Sequence, residues 1–577
     1  MEKKFDIIRA KKFAEDLKSG KDILNIKKNK FLSLRKKNNN KNNYNRILKG
    51  KGIEENKKYS LYEFDENDFK NGKINFVNVN DVYKLPFEKN KNNFYDNEEF
   101  KYWLYLVYKR TIEGDKTELK NILKNFTKEK IEFLINILID SSQFNNSSNN
   151  IFQFEEIKNN IKFKYNICSI LINLLYDTEE YNEIFIENIM SIYNFISILI
   201  KLYKTWNEIS FIVLIIHYQW LINNLIIESN IYSEIIEKNP KINFPELIQD
   251  IFNLNKIELY LVNIRMLILF LDNQENPQSF IQYKIFISIL DKIITNCSDI
   301  SHIDILLASY KALNKLFKSE ANCVLVLEDK NYIKLINKII QGFNSFTFCD
   351  CCLTKLIKND KENVINETYQ IHLMLIDIIF KKIPATKNII KHALKIMRLI
   401  FYNKNGFNVI NYLINTYTKN IFAQLQLLFS EKPNNLLIQS EVFNFLFAIF
   451  DLSNNSFKAI LISNGLDKFN INCLEECYQE FISENKDNTY YNKLIVQMLN
   501  LLYSILKFGE SDLNMKITLK EYCEEKNIYQ ILNELNYSKN KLIQDLVENI
   551  NTDYFEGYEN EELNEDEENE DKLFLLF

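Results

Sequence analysis

One pattern runs through the chain from about residue 96 to residue 550: apolar stripes at helical spacing, roughly 10–18 residues long, alternate with short polar breaks. "IEFLINILIDSS", "YLVNIRMLILFLDN", "SYKALNKLFKS" and "VQMLNLLYSILKFGE" are examples, and the alternation that would mark a sheet is not sustained anywhere. Ten glycines and six prolines in 577 residues point the same way. A sheet-rich chain needs many tight turns, which draw on Gly for positive φ and on Pro for a preset one. The pattern therefore predicts helices joined by polar loops rich in Asn, Asp, Ser and Lys. Hydrophobic content of 46% is enough for most of the chain to bury a core.

The stripes recur as a phrase of helix, second helix, short turn and third helix. Residues 440–481, "SEVFNFLFAIFDLSNNSFKAILISNGLDKFNINCLEECYQEF", are one instance, with Gly465 at the turn. That length is the ~40–47 residues of an armadillo or HEAT repeat, and the span holds about ten such units. No unit can bury its apolar face alone, so units must stack. The expected fold is all-α, an armadillo-repeat right-handed α-solenoid over residues 96–550. A basic arm (1–60) and a polar linker (61–95) precede it, and an acidic tail (551–577) follows. The low-complexity "KKNNNKNNYN" in the arm reads as disordered when free.

The net charge of −5 is small for this length, and the charge sits at the ends. A basic arm suits nucleic acid or an acidic protein surface; an acidic solenoid, and an arm without interleaved aromatics, argue against nucleic acid. Nine cysteines without paired spacing suggest a reducing compartment. The exception is "CDCC", with Cys349, Cys351 and Cys352, which lacks a fourth ligand at usual zinc spacing and reads as a loop, so no metal is assigned. The histidines (His217, His302, His372, His392) are isolated. No Gly-rich phosphate loop, HExxH or GxSxG occurs. The reading is therefore non-enzymatic, with no catalytic residues and no cofactor. "MEKKFDIIRAKKF" lacks the apolar core of a secretory signal. Residues 209–227 are the most apolar run, but His217, Gln219, Asn223 and Asn224 interrupt it, which favours a buried helix over a membrane span.

Within that run "HYQWLINNLIIES" (217–229) places Trp220, Asn224 and Glu228 one helical turn apart on a shared face. The spacing alone allows two readings: a core tryptophan with a wet edge, or a slot for an extended, positively charged peptide.

Three separate regions together resemble the importin-α family. "LLYSILKFGE" (501–510) and "YCEEKNIYQILNELNYSKNKLIQDLVENINTDYFEGYENEE" (522–562) are similar, in order and spacing, to that family's last repeats, including its Tyr-Phe at Tyr554 and Phe555. "RAKKFAEDLKSGKDILNIKKNKFLSLRKKNNNKNNYNRILKGK" (9–51) resembles the importin-β-binding segment. Trp220 and Asn224 have the spacing of the family's groove pairs, and Glu228 falls where the family holds the key lysine of its cargo. One repeat earlier Asn173 keeps the amide, with Ser169 at the tryptophan position; Met266/Phe270, Lys311/Lys315 and Asn444/Ala448 occupy later pairs.

The resemblance implies a nuclear import adaptor shuttling between cytoplasm and nucleus. It would bind basic nuclear localisation signals through Asn173, Trp220, Asn224 and Glu228. It would bind importin-β through Arg9, Lys11, Lys12, Phe13, Lys27, Lys28, Leu34, Arg35 and Lys36. It further implies recycling by an export receptor with Ran GTPase, indirect contact with the nuclear pore, and neither membrane nor nucleic acid as partner. In that reading the Trp220 ring is groove-facing and partly exposed. The alternative is an armadillo scaffold that has lost signal binding.

Overall fold

A computed structural model describes residues 98–113, 128–140, 151–174, 182–227, 231–273, 284–297, 302–346, 348–380, 383, 385–430, 436–483 and 489–555. The basic arm, the linker at 61–95 and residues 556–577 lie outside them, and with them every residue assigned above to importin-β. Among the described residues every regular element is helical. The chain divides into two compact units, Met1–Ser319 and Glu320–Phe577.

The first unit contains α1 Glu98–Glu113, α2 Lys128–Ile139, α3 Ile151–Leu174, α4 Asn182–Trp206, α5 Ile209–Ile227, α6 Ile231–Lys238, α7 Phe244–Phe252, α8 Ile257–Asp272, α9 Lys284–Asn296 and α10 Ile303–Leu316. Helices α1, α3, α5, α8 and α10 form a ladder in which each packs on the next, and the others cover its rungs. The second unit contains α11 Glu320–Glu328, α12 Ile333–Gly342, α13 Cys349–Asn359, α14 Val364–Tyr369, α15 Ile371–Ile379, α16 Lys387–Tyr402, α17 Gly406–Ser430, α18 Leu436–Leu452, α19 Asn455–Ser463, α20 Leu466–Ser483, α21 Thr489–Gly509, α22 Leu513–Glu525, α23 Ile528–Leu535 and α24 Lys541–Ile550. Its ladder is α13, α16, α18, α21 and α24.

The apolar stripes are what the ladders bury. In α24, Ile543, Val547 and Ile550 recur at i, i+4 and i+7 and all are buried. Helix α16 buries a wider face, from Ile390 to Phe401, because it has a rung on both sides. Side-chain ties between rungs reveal the repeat length directly. Gln219 bonds Asn263 44 residues on, and Asp272 pairs with Lys315 after 43. In the second unit Glu362 and Asn363 reach Lys404 across 42 and 41 residues, and Ile357 reaches Asn403 across 46. These separations are those of an armadillo-length unit.

The shortage of glycine has a structural counterpart. Asn207, Asn255, Asn363, Asn405 and Asn527 all sit in the left-handed region, with φ between 52° and 60°. Asparagine is the residue that tolerates that conformation best after glycine. Gly465, in the "NGL" turn, keeps the position with the most extreme φ, 94°. Asparagine and aspartate also begin helices: Asn243, Asn454, Asp512 and Asn540 accept backbone N–H bonds at the starts of α7, α19, α22 and α24.

Two expectations change. "CDCC" is no loop: Cys349 to Cys352 form the first turn of α13, with Cys349 and Cys352 fully buried against neighbouring helices. Packing also continues past residue 550. A last helical turn, Asn551–Phe555, buries Tyr554 and Phe555. Tyr503 donates to the Asp553 carboxylate at 2.9 Å and its ring meets Tyr554 edge-on at 5.8 Å, while Tyr529 meets Phe555 at 6.3 Å. Aromatic burial thus carries five residues of the acidic segment into the packed end.

By length and composition one described helix, Glu183–Trp206, is long and apolar enough to cross a membrane; 50% of that window is buried inside the protein. The still more apolar α5 is enclosed by α3, α4 and α8.

Candidate functional site

Helix α5 is buried on nearly every side from Ser210 to Asn223, so its polar residues need internal partners. They find them in adjacent repeats. Gln219 Nε2 donates to Asn263 Oδ1 at 2.7 Å, and Asn263 Nδ2 donates to the Ile248 carbonyl at 2.8 Å. The Tyr218 hydroxyl donates to the Leu138 carbonyl at 2.7 Å. His217 Nδ1–H donates to the Val213 carbonyl at 2.8 Å while its ring packs on Tyr165 at 4.3 Å, and burial lowers its pKa to about 4. Of the interruptions that argued against a membrane span, Gln219 and Asn223 reach the next ladder helix, while His217 bonds within its own.

Beneath α5 lies a group that the sequence pattern does not announce. Lys164 on α3 is fully buried. Its ammonium donates to the carbonyls of Ile137, Leu138 and Asp140, closing the C-terminal end of α2, and lies 4.8 Å from the Phe195 ring. These are the orphan carbonyls of a helix end, satisfied by a cation that the dipole also favours. Burial lowers the lysine pKa to about 7, with Asp140 opposing the shift.

The structure places the expected groove residues unequally. Asn173 belongs to α3 and Glu228 lies outside the described residues. Asn224 is half-buried near the end of α5. Trp220 is 6% exposed, so the expected part-exposed ring is a buried one. Over it stands Arg265 of α8, whose guanidinium carbon is 5.2 Å from the centre of the Trp220 ring. An arginine plane over an indole is a favourable cation–π pair, strengthened by desolvation. Burial lowers the Arg265 pKa to about 10, and Asp304 opposes that shift.

The next rung continues the cationic character. Lys315 pairs with Asp272. Lys311 is shifted down by burial and held up by Asp272, while the charges of Lys315 and Arg265 push it further down. Three cations thus face two carboxylates across α8 and α10. Of the eroded pairs, Met266 and Phe270 are buried core residues, as are Ser169 and Ala448; Asn444 is half-buried. Sequence reasoning passed over Arg265, whose significance depends on lying one repeat beyond Trp220.

No protein-family model matches the chain, and no curated protein sequence matches it. Solved structures do. An engineered protein from a structural genomics programme aligns with a TM-score of 0.53 at 11% identity, covering 82% of this chain and 98% of its own. A structure from work on a phosphorylation switch controlling the interaction between cadherin and beta-catenin aligns with a TM-score of 0.52 at 10% identity, covering 91% and 98%. The fold is an armadillo-like helical repeat. Identities this low carry the fold alone.

Proposed function

We propose that the chain is a nuclear import adaptor of importin-α type, which holds one short basic segment at Trp220 and Asn224 and recruits importin-β through its basic arm. The observation that carries this reading is the Trp220–Arg265 stack, an indole face occupied by a cation one turn before an amide on a ladder helix. A face that holds an arginine plane suits the aliphatic stem and charge of a cargo lysine equally. Arg265 then acts as an internal stand-in for cargo, swinging toward Asp304 when a basic peptide arrives. The Asn224 carboxamide would bond the peptide backbone, and Glu228 would pair with the lysine ammonium. Lys311 and Lys315 repel further cations, so the bound segment is short and the affinity low.

The second reading is a scaffold without signal binding, favoured by the burial of Trp220 and by the core residues at the other pairs. A fluorescence titration of the full chain with a basic peptide separates the two. In the adaptor, Trp220→Ala weakens binding by ~1–3 kcal/mol and Arg265→Ala strengthens it by vacating the ring. In the scaffold no basic peptide binds any of the three proteins. Capture on immobilised importin-β tests the arm: Arg35→Glu with Lys36→Glu should abolish it, and capture of the wild type should fade with salt. Unchanged capture by the double variant sinks the arm as the contact.

A further inference from the structure

Helices α13 and α16 meet at a cluster of Asp350, Cys351 and His392, whose potential donor atoms all lie within 4.8 Å of one another. Asp350 is buried, while Cys351 and His392 are partly so. The Asp350 carboxylate accepts from the Cys351 N–H at 2.8 Å, from Asn388 Nδ2 at 3.1 Å and from the Cys351 thiol. On its other side His392 Nε2 approaches Asp350 Oδ2 to 3.3 Å.

The Thr354 hydroxyl gives the imidazole a second partner. The Thr354 hydroxyl has one proton, and it lies 2.7 Å from the Asp350 carbonyl oxygen but 3.3 Å from His392 Nδ1. A carbonyl can only accept, so the shorter contact takes that proton. The Thr354 oxygen is then open to accept from Nδ1, in the tautomer that carries the ring's hydrogen there. In the neutral ring this leaves the Nε2 lone pair aimed at a carboxylate oxygen, two acceptors 3.3 Å apart. Such a pair calls for a cation between them. The separation is also the edge expected when a nitrogen and an oxygen both sit about 2 Å from one tetrahedral ion.

We propose that α13 and α16 are clamped by a zinc ion held by the Asp350 carboxylate, the Cys351 sulfur and His392 Nε2. On binding, the Cys351 S–H bond breaks, the proton leaves to solvent, and the sulfur lone pair forms the bond to zinc. Carboxylate and thiolate together balance the 2+ charge. Burial holds the Cys351 thiol above its ordinary pKa, and the charges of Lys355 and Lys391 oppose that shift. Thr354 supplies the outer-shell partner that holds a ligating histidine in one tautomer. Three protein ligands of mixed type leave a fourth position for water or for a donor from a partner.

The test uses the full chain, free of affinity tags and stripped of metal, titrated with Co²⁺. One equivalent should develop a sulfur-to-cobalt charge-transfer band and the intense visible bands of a four-coordinate ion, and Zn²⁺ should displace both. Cys351→Ser should remove the charge-transfer band, His392→Gln should weaken cobalt binding by about tenfold or more, and the remote Cys297→Ser should change neither. Zn²⁺ should raise the melting temperature of the wild type but not of Cys351→Ser. If His392→Gln does not fold, the partly exposed Cys351 decides the matter alone. A folded wild type with no charge-transfer band, or a band that survives Cys351→Ser, overturns the proposal and leaves an imidazolium–carboxylate pair only.

Discussion

The two units build the same ladder with different polar fittings. In the first, most of the ties are neutral: Gln219 to Asn263, Asn263 to the Ile248 carbonyl, Tyr218 to the Leu138 carbonyl, with the Asp272–Lys315 ion pair between α8 and α10 as the charged one. Its charges lie along α8 and α10 or close a helix end, as Lys164 does. In the second, ionisable groups join neutral ties such as Asn403 to the Ile357 carbonyl: Asp350 meets His392 and Asn388 between α13 and α16, and Arg398 meets Glu441 between α16 and α18. Each rung contacts only its neighbours, so a stacked fold imposes burial on a ladder position but not one kind of polar partner. The neutral ties hold over a wide pH range, whereas the charged ones depend on both partners being present.

The largest effect is expected at Trp220. With the ring buried beneath Arg265, Trp220→Ala should cost the first unit ~3–5 kcal/mol, the range for deleting a large buried aromatic. Thermal melts and amide exchange in α5 and α8 would measure it. A loss under about 1 kcal/mol would mean the ring is not part of the core and would bring the first unit's cationic face closer to an open groove.

Much of the architecture could be read in advance, and particular residues show where that stops. The stripe in "KLIQDLVENI" becomes α24 because i, i+4, i+7 spacing already specifies a buried face. Gly465 could be placed in a turn because its neighbours were polar and a helix ended there. Partners across repeats were beyond such reasoning. Nothing near "CDCC" signals that His392 arrives 38 residues after Thr354, or that Arg265 covers Trp220. Lys164 looked like an ordinary charged position in "IKFKYN", since sequence pattern does not say when a lysine caps a helix from another repeat. Periodicity encodes which face is buried; it does not encode what that face meets.

Lys164 gives the second prediction, because it is a cation fully buried within the first unit. Lys164→Met keeps the stem but takes the ammonium from the Ile137 and Asp140 carbonyls at the end of α2, at ~1–3 kcal/mol each, while the Leu138 carbonyl keeps the Tyr218 hydroxyl. A net loss of ~2–4 kcal/mol is expected, with faster amide exchange at that helix end. A signature in pH accompanies it. An unfolded lysine titrates near ~10.4, whereas burial holds Lys164 at about 7. Between those values the unfolded chain binds a proton that the folded chain does not, so wild-type stability rises with pH across the window. Lys164→Met should lack this rise. Equal slopes in the two proteins would show that the ammonium is not confined as described.

The smallest effect separates the two kinds of tie. Arg398 Nη2 lies 3.6 Å from Glu441 Oε2, with 28% and 14% of the two side chains exposed. That residual solvent access screens the pair, so Arg398→Met should cost only ~1–2 kcal/mol, less than the cost of stranding a fully buried carboxylate. The loss comes from Glu441, left without its partner in a mostly apolar contact between α16 and α18. Adding Glu441→Leu should therefore recover most of it, since an apolar pair of similar bulk needs no counter-charge. Gln219→Leu in the first unit should behave differently, because it strands only the neutral Asn263 carbonyl and its cost should not change between pH 5 and 8. Chemical denaturation of the three variants at several pH values would measure this. A double variant no more stable than Arg398→Met alone would mean that the pair holds α16 and α18 by shape rather than by charge, and the contrast between the units would then rest on the Asp350 cluster.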